Sequence, residues 1–157
     1  METVSATTEF TGAIHEMVDR CRTLQSRGDC WPGALPRMAV GNRLVYGVSM
    51  RLKAATMTDI EIDETVDEPE ESDDGSIRLR TIQRVTWPDG HEDAMTEYLF
   101  TPGAPNHSLH FSYTYGTPGK KLVKPKERPN FHHAMERVAQ RYVANLTRSN
   151  RPVSPVN

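Results

Sequence analysis

The longest stretch of strict alternation runs from Arg43 to Ala54, where Leu44, Tyr46, Val48, Met50, Leu52 and Ala54 interleave with Arg43, Gly47, Ser49, Arg51 and Lys53. A period of two puts one face of a strand inward and the other outward. The same pattern returns four times. Thr58, Ile60, Ile62 and Val66 oppose Asp59, Glu61 and Asp63, and Ile77, Leu79, Thr81, Gln83, Val85 and Trp87 oppose Arg78, Arg80 and Arg84. Ala94, Thr96, Tyr98 and Phe100 follow, then Leu109, Phe111, Tyr113 and Tyr115 against His110, Ser112 and Thr114. Turn residues separate these runs: an acidic stretch from Asp67 to Gly75 containing Pro69, Trp-Pro-Asp-Gly at 87–90, and a Pro-rich stretch at 101–106. Five long strands joined in this way predict an antiparallel meander.

At both ends of the chain the period changes. Ala13, Ile14, Met17, Val18, Cys21 and Leu24 recur at steps of one, three and four, which predicts a helix after Thr11 that ends by Arg27-Gly28. Before it, Glu2–Thr8 reads as a short first strand; after it, residues 29–36 read as a loop carrying Trp31 between turn residues. The final helix is predicted from Phe131 to Arg148, with a stripe of Phe131, Met135, Val138, Tyr142, Asn145 and Leu146. Residues 1–149 are expected to form one domain and 150–157 a frayed tail.

Composition narrows the class. A chain of 157 residues can bury roughly two thirds of its unfolded surface and needs neither metal nor disulfide to fold. Four Phe, five Tyr and two Trp exclude a disordered chain. No apolar run approaches the ~18–20 residues that cross a bilayer, so no stable membrane insertion is expected. The N-terminal segment lacks the basic and apolar regions of a secretory signal, and a cytoplasmic location is the expectation. Cys21 and Cys30 do not make a disulfide framework.

The net charge of −2 hides an uneven distribution. Ten acidic residues and no basic one lie between Asp59 and Asp74, whereas Lys120 to Arg151 holds nine basic and two acidic residues. No aromatic side chains interleave with those basic residues, so they read as a solvated face and no nucleic-acid partner is expected. The acidic stretch reads as an exposed hairpin.

An antiparallel sheet this long has an apolar face to bury, and two helices are its only cover. Six strands covered mainly by one helix leave space between helix and sheet. Tyr46, Met50, Tyr98, Phe100, Phe111 and Tyr113 point into it from the strands, and Met135, Val138 and Tyr142 from the helix. These nine residues are the candidate ligand-binding set. Tyr115 shares the same face. A buried, unpaired Tyr hydroxyl costs about 1–3 kcal/mol, so inward tyrosines argue for a pocket with polar content.

In its order of elements the chain resembles the START/SRPBCC helix-grip superfamily, which includes polyketide cyclase-like proteins. The likeness spans residues 2–149: an opening strand Thr3–Thr8, helix and loop Ala13–Pro32, strands Arg43–Tyr115, and the last helix with Tyr142-Val-Ala-Asn-Leu146 near its end. It implies an α+β helix-grip fold, a curved antiparallel six-stranded sheet wrapped around a long C-terminal helix, with a shorter N-terminal helix. It also implies a cavity for a lipid, sterol or polyketide-like molecule. The acidic hairpin is a departure with no family role.

The residues point to no particular chemistry. His132 and His133 face different sides of a helix, His107 and His110 opposite faces of a strand, and no zinc spacing is present, so neither metal nor cofactor is expected. No GxSxG, phosphate-binding loop or HExxH occurs. A cyclase-type mechanism would need an Arg or Tyr to polarise a carbonyl. Arg51, Arg80, Tyr46, Tyr98 and Tyr113 are the candidates, although alternation turns both arginines outward unless a bulge re-aims them. The catalytic set is therefore left unassigned. Three functions remain open: binding of a small hydrophobic molecule; a polyketide cyclase, aromatase or dehydratase; and a non-catalytic protein-interaction domain. The ligand and the oligomeric state are not legible.

Overall fold

The structure is a computed structural model that describes residues 1–53, 56–116 and 123–154. Ala54, residues 117–122 and the end of the tail lie outside the described residues. Strand β1 (Glu2–Phe10) leads to two helices, α1 (Ile14–Cys21) and α2 (Leu24–Cys30). Strands β2 (Ala34–Val40), β3 (Arg43–Lys53), β4 (Thr56–Val66), the two-residue β5 (Glu70–Glu71), β6 (Ile77–Trp87), β7 (Gly90–Thr101) and β8 (His107–Tyr115) follow. A single 3-10 turn at Pro125–Glu127 then opens α3 (Arg128–Leu146).

The eight strands form one antiparallel sheet that does not close, in the order β1-β8-β7-β6-β4-β3-β2, with β5 beside β6. The meander follows chain order through β3, β4, β6, β7 and β8, and β1 pairs with β8 along its whole length. Alternation is clean where it was expected: in β6 every second residue from Ile77 to Trp87 is buried. The helices cover that face. Met17, Val18 and Cys21 of α1 are buried, as are Phe131, Met135, Ala139, Tyr142, Val143 and Leu146 of α3.

The sheet has eight strands rather than six, and the first helix is two. Strand β2 was read as loop because it presents no buried face: six of its seven residues are exposed, so no alternation could be seen. It is an edge strand, where Pro36 can sit without a missing N–H breaking the ladder, and its register with β3 shifts between Pro36 and Met38. Strand β5 is too short and acidic to show a pattern. The first helix breaks at Thr23, which takes an extended conformation and accepts a hydrogen bond from Ser26 N at 3.1 Å as an N-cap. Cys21 and Leu24 lie three apart on either side of that break, so a helical spacing runs through it.

Helix α3 ends at Leu146, two residues before the expected Arg148. Its C-terminal carbonyl is held by α1: Arg20 Nη1 donates to Leu146 O at 2.9 Å and to Asn150 Oδ1 at 2.8 Å. A cation at a helix C-terminus is favourably placed against the helix dipole. In the tail, Val153 exchanges two hydrogen bonds with the Asn106 side chain. Gly33, at φ +76°, turns α2 into β2; a Cβ there would stand 2.7 Å from Ser49 O. Only glycine allows the two strands to meet so closely there.

Candidate functional site

Between α3 and the sheet the interior divides into a filled end and an open one. The filled end is organised around an ion pair that water does not reach. Arg27, on α2, is 1% exposed and Glu64, on β4, is fully buried. Arg27 Nε donates to Glu64 Oε1 at 2.9 Å, and Arg27 Nη2 reaches Oε2 at 3.4 Å. Tyr46 OH donates to the same Oε1 at 2.8 Å, and Thr81 Oγ1 to Oε2. The guanidinium also donates from Nη1 to Cys21 O at 2.7 Å and to Tyr142 OH at 2.8 Å. Tyr142 and Tyr98 share a hydrogen bond of 2.8 Å. Gln83 extends the network, donating to Tyr46 OH at 3.1 Å and accepting from Tyr113 OH at 3.0 Å.

Each of these network side chains therefore finds a partner, which is the condition for burying it without a large penalty. Burial alone would raise the Glu64 carboxyl, but the Arg27 charge and the bonds from Arg27, Thr81 and Tyr46 outweigh it and hold it below its usual range. Burial pushes the hydroxyls of Tyr46, Tyr98, Tyr113 and Tyr142 upward, so they stay protonated. The Cys21 thiol, also buried, is pushed up to about 12 and is inert at neutral pH.

The open end is a cavity of about 330 Å³. Val48 and Met50 of β3, Ile60 and Ile62 of β4, and Val85 and Trp87 of β6 form most of its floor. Ala94 of β7 and the rings of Tyr113 and Tyr115 of β8 complete it. Phe131, Met135 and Val138 of α3 roof it, and Trp31 and Gly33 close one side. Tyr115 OH donates to Glu2 Oε2 at 3.0 Å and lies 3.1 Å from His132 Nδ1. Both wall tyrosines thus have their hydroxyls engaged by protein groups, and the lining is mainly apolar. Four charged residues stand on it: Arg51, Glu92, Asp93 and Arg141. Burial and the neighbouring Asp89 raise the Glu92 carboxyl.

Of the nine residues expected to bind a ligand, Met50, Tyr113, Met135 and Val138 line the cavity. Tyr46, Tyr98, Phe100, Phe111 and Tyr142 sit at the filled end instead. The hydroxyls of Tyr46, Tyr98 and Tyr142 answer Glu64 and Arg27 rather than a pocket, and the Tyr142 ring lies 5.2 Å from Phe111 and 4.8 Å from Trp31. Of the catalytic candidates, Tyr113 and Arg51 reach the wall, Arg51 beside a register shift in β3. Arg80 is on the outer face, where its Nε donates to Glu97 at 3.1 Å.

Arg27 and Glu64 were missed. Glu64 had a signal: it stands two residues after Ile62 and two before Val66, on the inward face, but the surrounding acidic run hid it. Arg27 had none, because it belongs to a second helix that the periodicity did not separate. Trp31 had one, since a tryptophan in a loop tends to pack against something; it is 5% exposed. Among the described residues no group of three or more His, Cys, Asp or Glu is placed to hold a metal ion. No helix among them is long and apolar enough to cross a membrane.

No protein-family model matches the chain, and no curated protein matches it. Solved structures do. A conserved protein from Geobacillus kaustophilus superposes with a TM-score of 0.70 at 11% identity, covering 94% of each chain. A major latex-like protein from Panax ginseng gives 0.51 at 11% identity, over 96% of this chain and 98% of that one. A protein of the dynemicin biosynthetic locus gives 0.53 at 15% identity, over 94% of this chain but 46% of its own. At such identities the shared property is the fold. The chain has a START/SRPBCC-like fold: an open antiparallel sheet gripping a C-terminal helix.

Proposed function

We propose that this protein binds a small hydrophobic molecule in the cavity between the sheet and the N-terminal half of α3. One observation carries the reading: about 330 Å³ of unfilled space walled mainly by aliphatic and aromatic side chains. Ligand sites are concave, mostly apolar and of this order of volume, with a few polar groups at defined points. Met50, Tyr113, Met135 and Val138 are assigned to it, joined by Val48, Ile60, Trp87 and Phe131. Lipids, sterols and polyketide-like molecules are the candidate classes.

A second reading, cyclisation or dehydration of a polyketide-like substrate in the same cavity, has two observations in its favour. A protein of a dynemicin biosynthetic locus shares this fold, and Tyr113 stands on the wall here as a protonated hydroxyl held by Gln83. Binding is the better-supported function, because the wall tyrosines' hydroxyls are engaged by the protein itself and most of the lining is apolar.

Incubation with a cell extract, washing and native mass spectrometry should reveal a co-purifying hydrophobic molecule. Added at about a hundred times its Kd, that molecule stabilises by about 2.7 kcal/mol, a Tm rise of roughly 5–10 °C for a domain of this size. Absence of any bound species, with no shift across lipids, sterols and polyketides, would reject the reading.

A further inference from the structure

Among the described residues of the cavity wall, Glu92 is the one with a polar side-chain atom shut off from solvent and left without a partner. It is the third residue of β7, on the inward parity of that strand with Ala94, Thr96 and Tyr98. Its Oε2 is shut off from solvent and, among the described residues, has no hydrogen-bond partner. The carboxylate lies against Gly116, also on the wall: a Cβ at position 116 would stand 2.3 Å from Oε2. The glycine thus leaves the space that the carboxylate occupies. The nearby charge offsets it only in part: the N-terminal amino group lowers the carboxyl, but burial and the negative Asp89 raise it by more. The wall's two cations are elsewhere. Arg141 is on α3, and Arg51 is on β3, three strands from β7 in the sheet and so roughly 14 Å away at ordinary strand spacing.

A carboxylate oxygen withdrawn from water without a partner is destabilising in the empty protein and becomes favourable only when a donor meets it. Resting on the reading that the cavity holds a hydrophobic molecule, we infer that this molecule carries a hydrogen-bond donor, a protonated amine or a hydroxyl, which bonds to Glu92 while its apolar body lies against the floor under α3. The site thereby rejects carboxylates of the same chain length, including simple fatty acids, through repulsion from Glu92.

Calorimetric titration with decylamine, decanol and decanoate, each below its aggregation concentration, tests this on the intact chain. Decylamine and decanol are expected to bind, with decylamine about tenfold or more tighter than decanoate, the ratio that one charge-assisted hydrogen bond supplies. In Glu92→Gln the advantage of decylamine over decanoate is lost. The Tm of the ligand-free variant provides a readout independent of any ligand: Glu92→Gln raises it, because it removes a negative charge one of whose oxygens is shut off from solvent without a partner, whereas Gly116→Ala lowers it and weakens decylamine binding by displacing the carboxylate. Decanoate binding as tightly as decylamine, or a Glu92→Gln variant that keeps the amine preference or melts lower, would overturn the inference and leave the hydrophobic-binding reading standing. Binding of none of the three probes would overturn both.

Discussion

The two halves of α3 lie over the same sheet and meet it in opposite ways. Its C-terminal half, through Ala139, Tyr142, Val143 and Leu146, packs onto a filled interior in which Arg27, Glu64 and their partners are bonded to one another. Its N-terminal half, through Phe131, Met135 and Val138, roofs empty space. The contrast follows from what each half meets. Helices α1 and α2 lie beside the C-terminal half and bring Cys21 and Arg27 inward, whereas the N-terminal half faces the apolar floor of the cavity and the Trp31 side. The filled end supplies rigidity and the open end capacity, so a change in one should leave the other nearly untouched.

The largest expected effect is removal of one partner from the buried pair. Glu64→Ala should destabilise by about 3–5 kcal/mol in a urea melt, because Arg27 is then left buried without its counter-ion. Replacing both, as Arg27→Met with Glu64→Leu, should recover part of that loss; a double variant as unstable as the sum of the singles would show that the tyrosines, not the charges, need the network. The pair also fixes an acid dependence. The folded Glu64 carboxyl is held below the ordinary glutamate value of 4.5, so its contribution is fully present above that pH and is lost as pH falls through the lower folded value. Glu64→Gln should flatten the acid limb of a stability-versus-pH curve.

Ala139 and Ala94 sharpen the comparison directly, being 1% and 3% exposed at the two ends. Ala139→Leu should cost about 1–3 kcal/mol by overpacking, whereas Ala94→Leu enters the cavity and should cost clearly less while weakening ligand binding. Equal costs would mean that the two ends are packed alike. Tyr142→Phe comes next, at about 1–2 kcal/mol, because it leaves Arg27 Nη1 and the Tyr98 hydroxyl one partner short. The smallest effect is expected at an exposed pair: Arg43→Ala, which breaks two bonds of 2.9 and 2.7 Å to Asp63 on the outer face, should leave the midpoint of a urea melt nearly unchanged.

Much of this architecture could be read from the chain because burial imposes a period. The five long strands and both ends of the fold announced themselves by alternation and by helical spacing. What could not be read is what has no buried face, as in β2, or what breaks a helix without breaking its spacing, as at Thr23. The division of the interior was hidden for a different reason. Alternation says that Tyr46, Tyr98 and Tyr113 point inward, but not whether a hydroxyl there meets protein or ligand. That depends on Arg27, brought in from a separate helix, and on Glu64, whose inward parity was visible but submerged in a run of acids. Four of the nine proposed binding residues consequently lie on the cavity, and five lie where the network fills the space.

The most direct test follows the methyl NMR signals during a titration with decanol. Saturable shifts concentrated at Val48, Ile60, Ile62, Met135 and Val138, with Leu44, Leu79, Val143 and Leu146 unmoved, are the predicted result. Shifts absent from the first group, or equal in both, would contradict the assignment of the binding site to the open end of the helix.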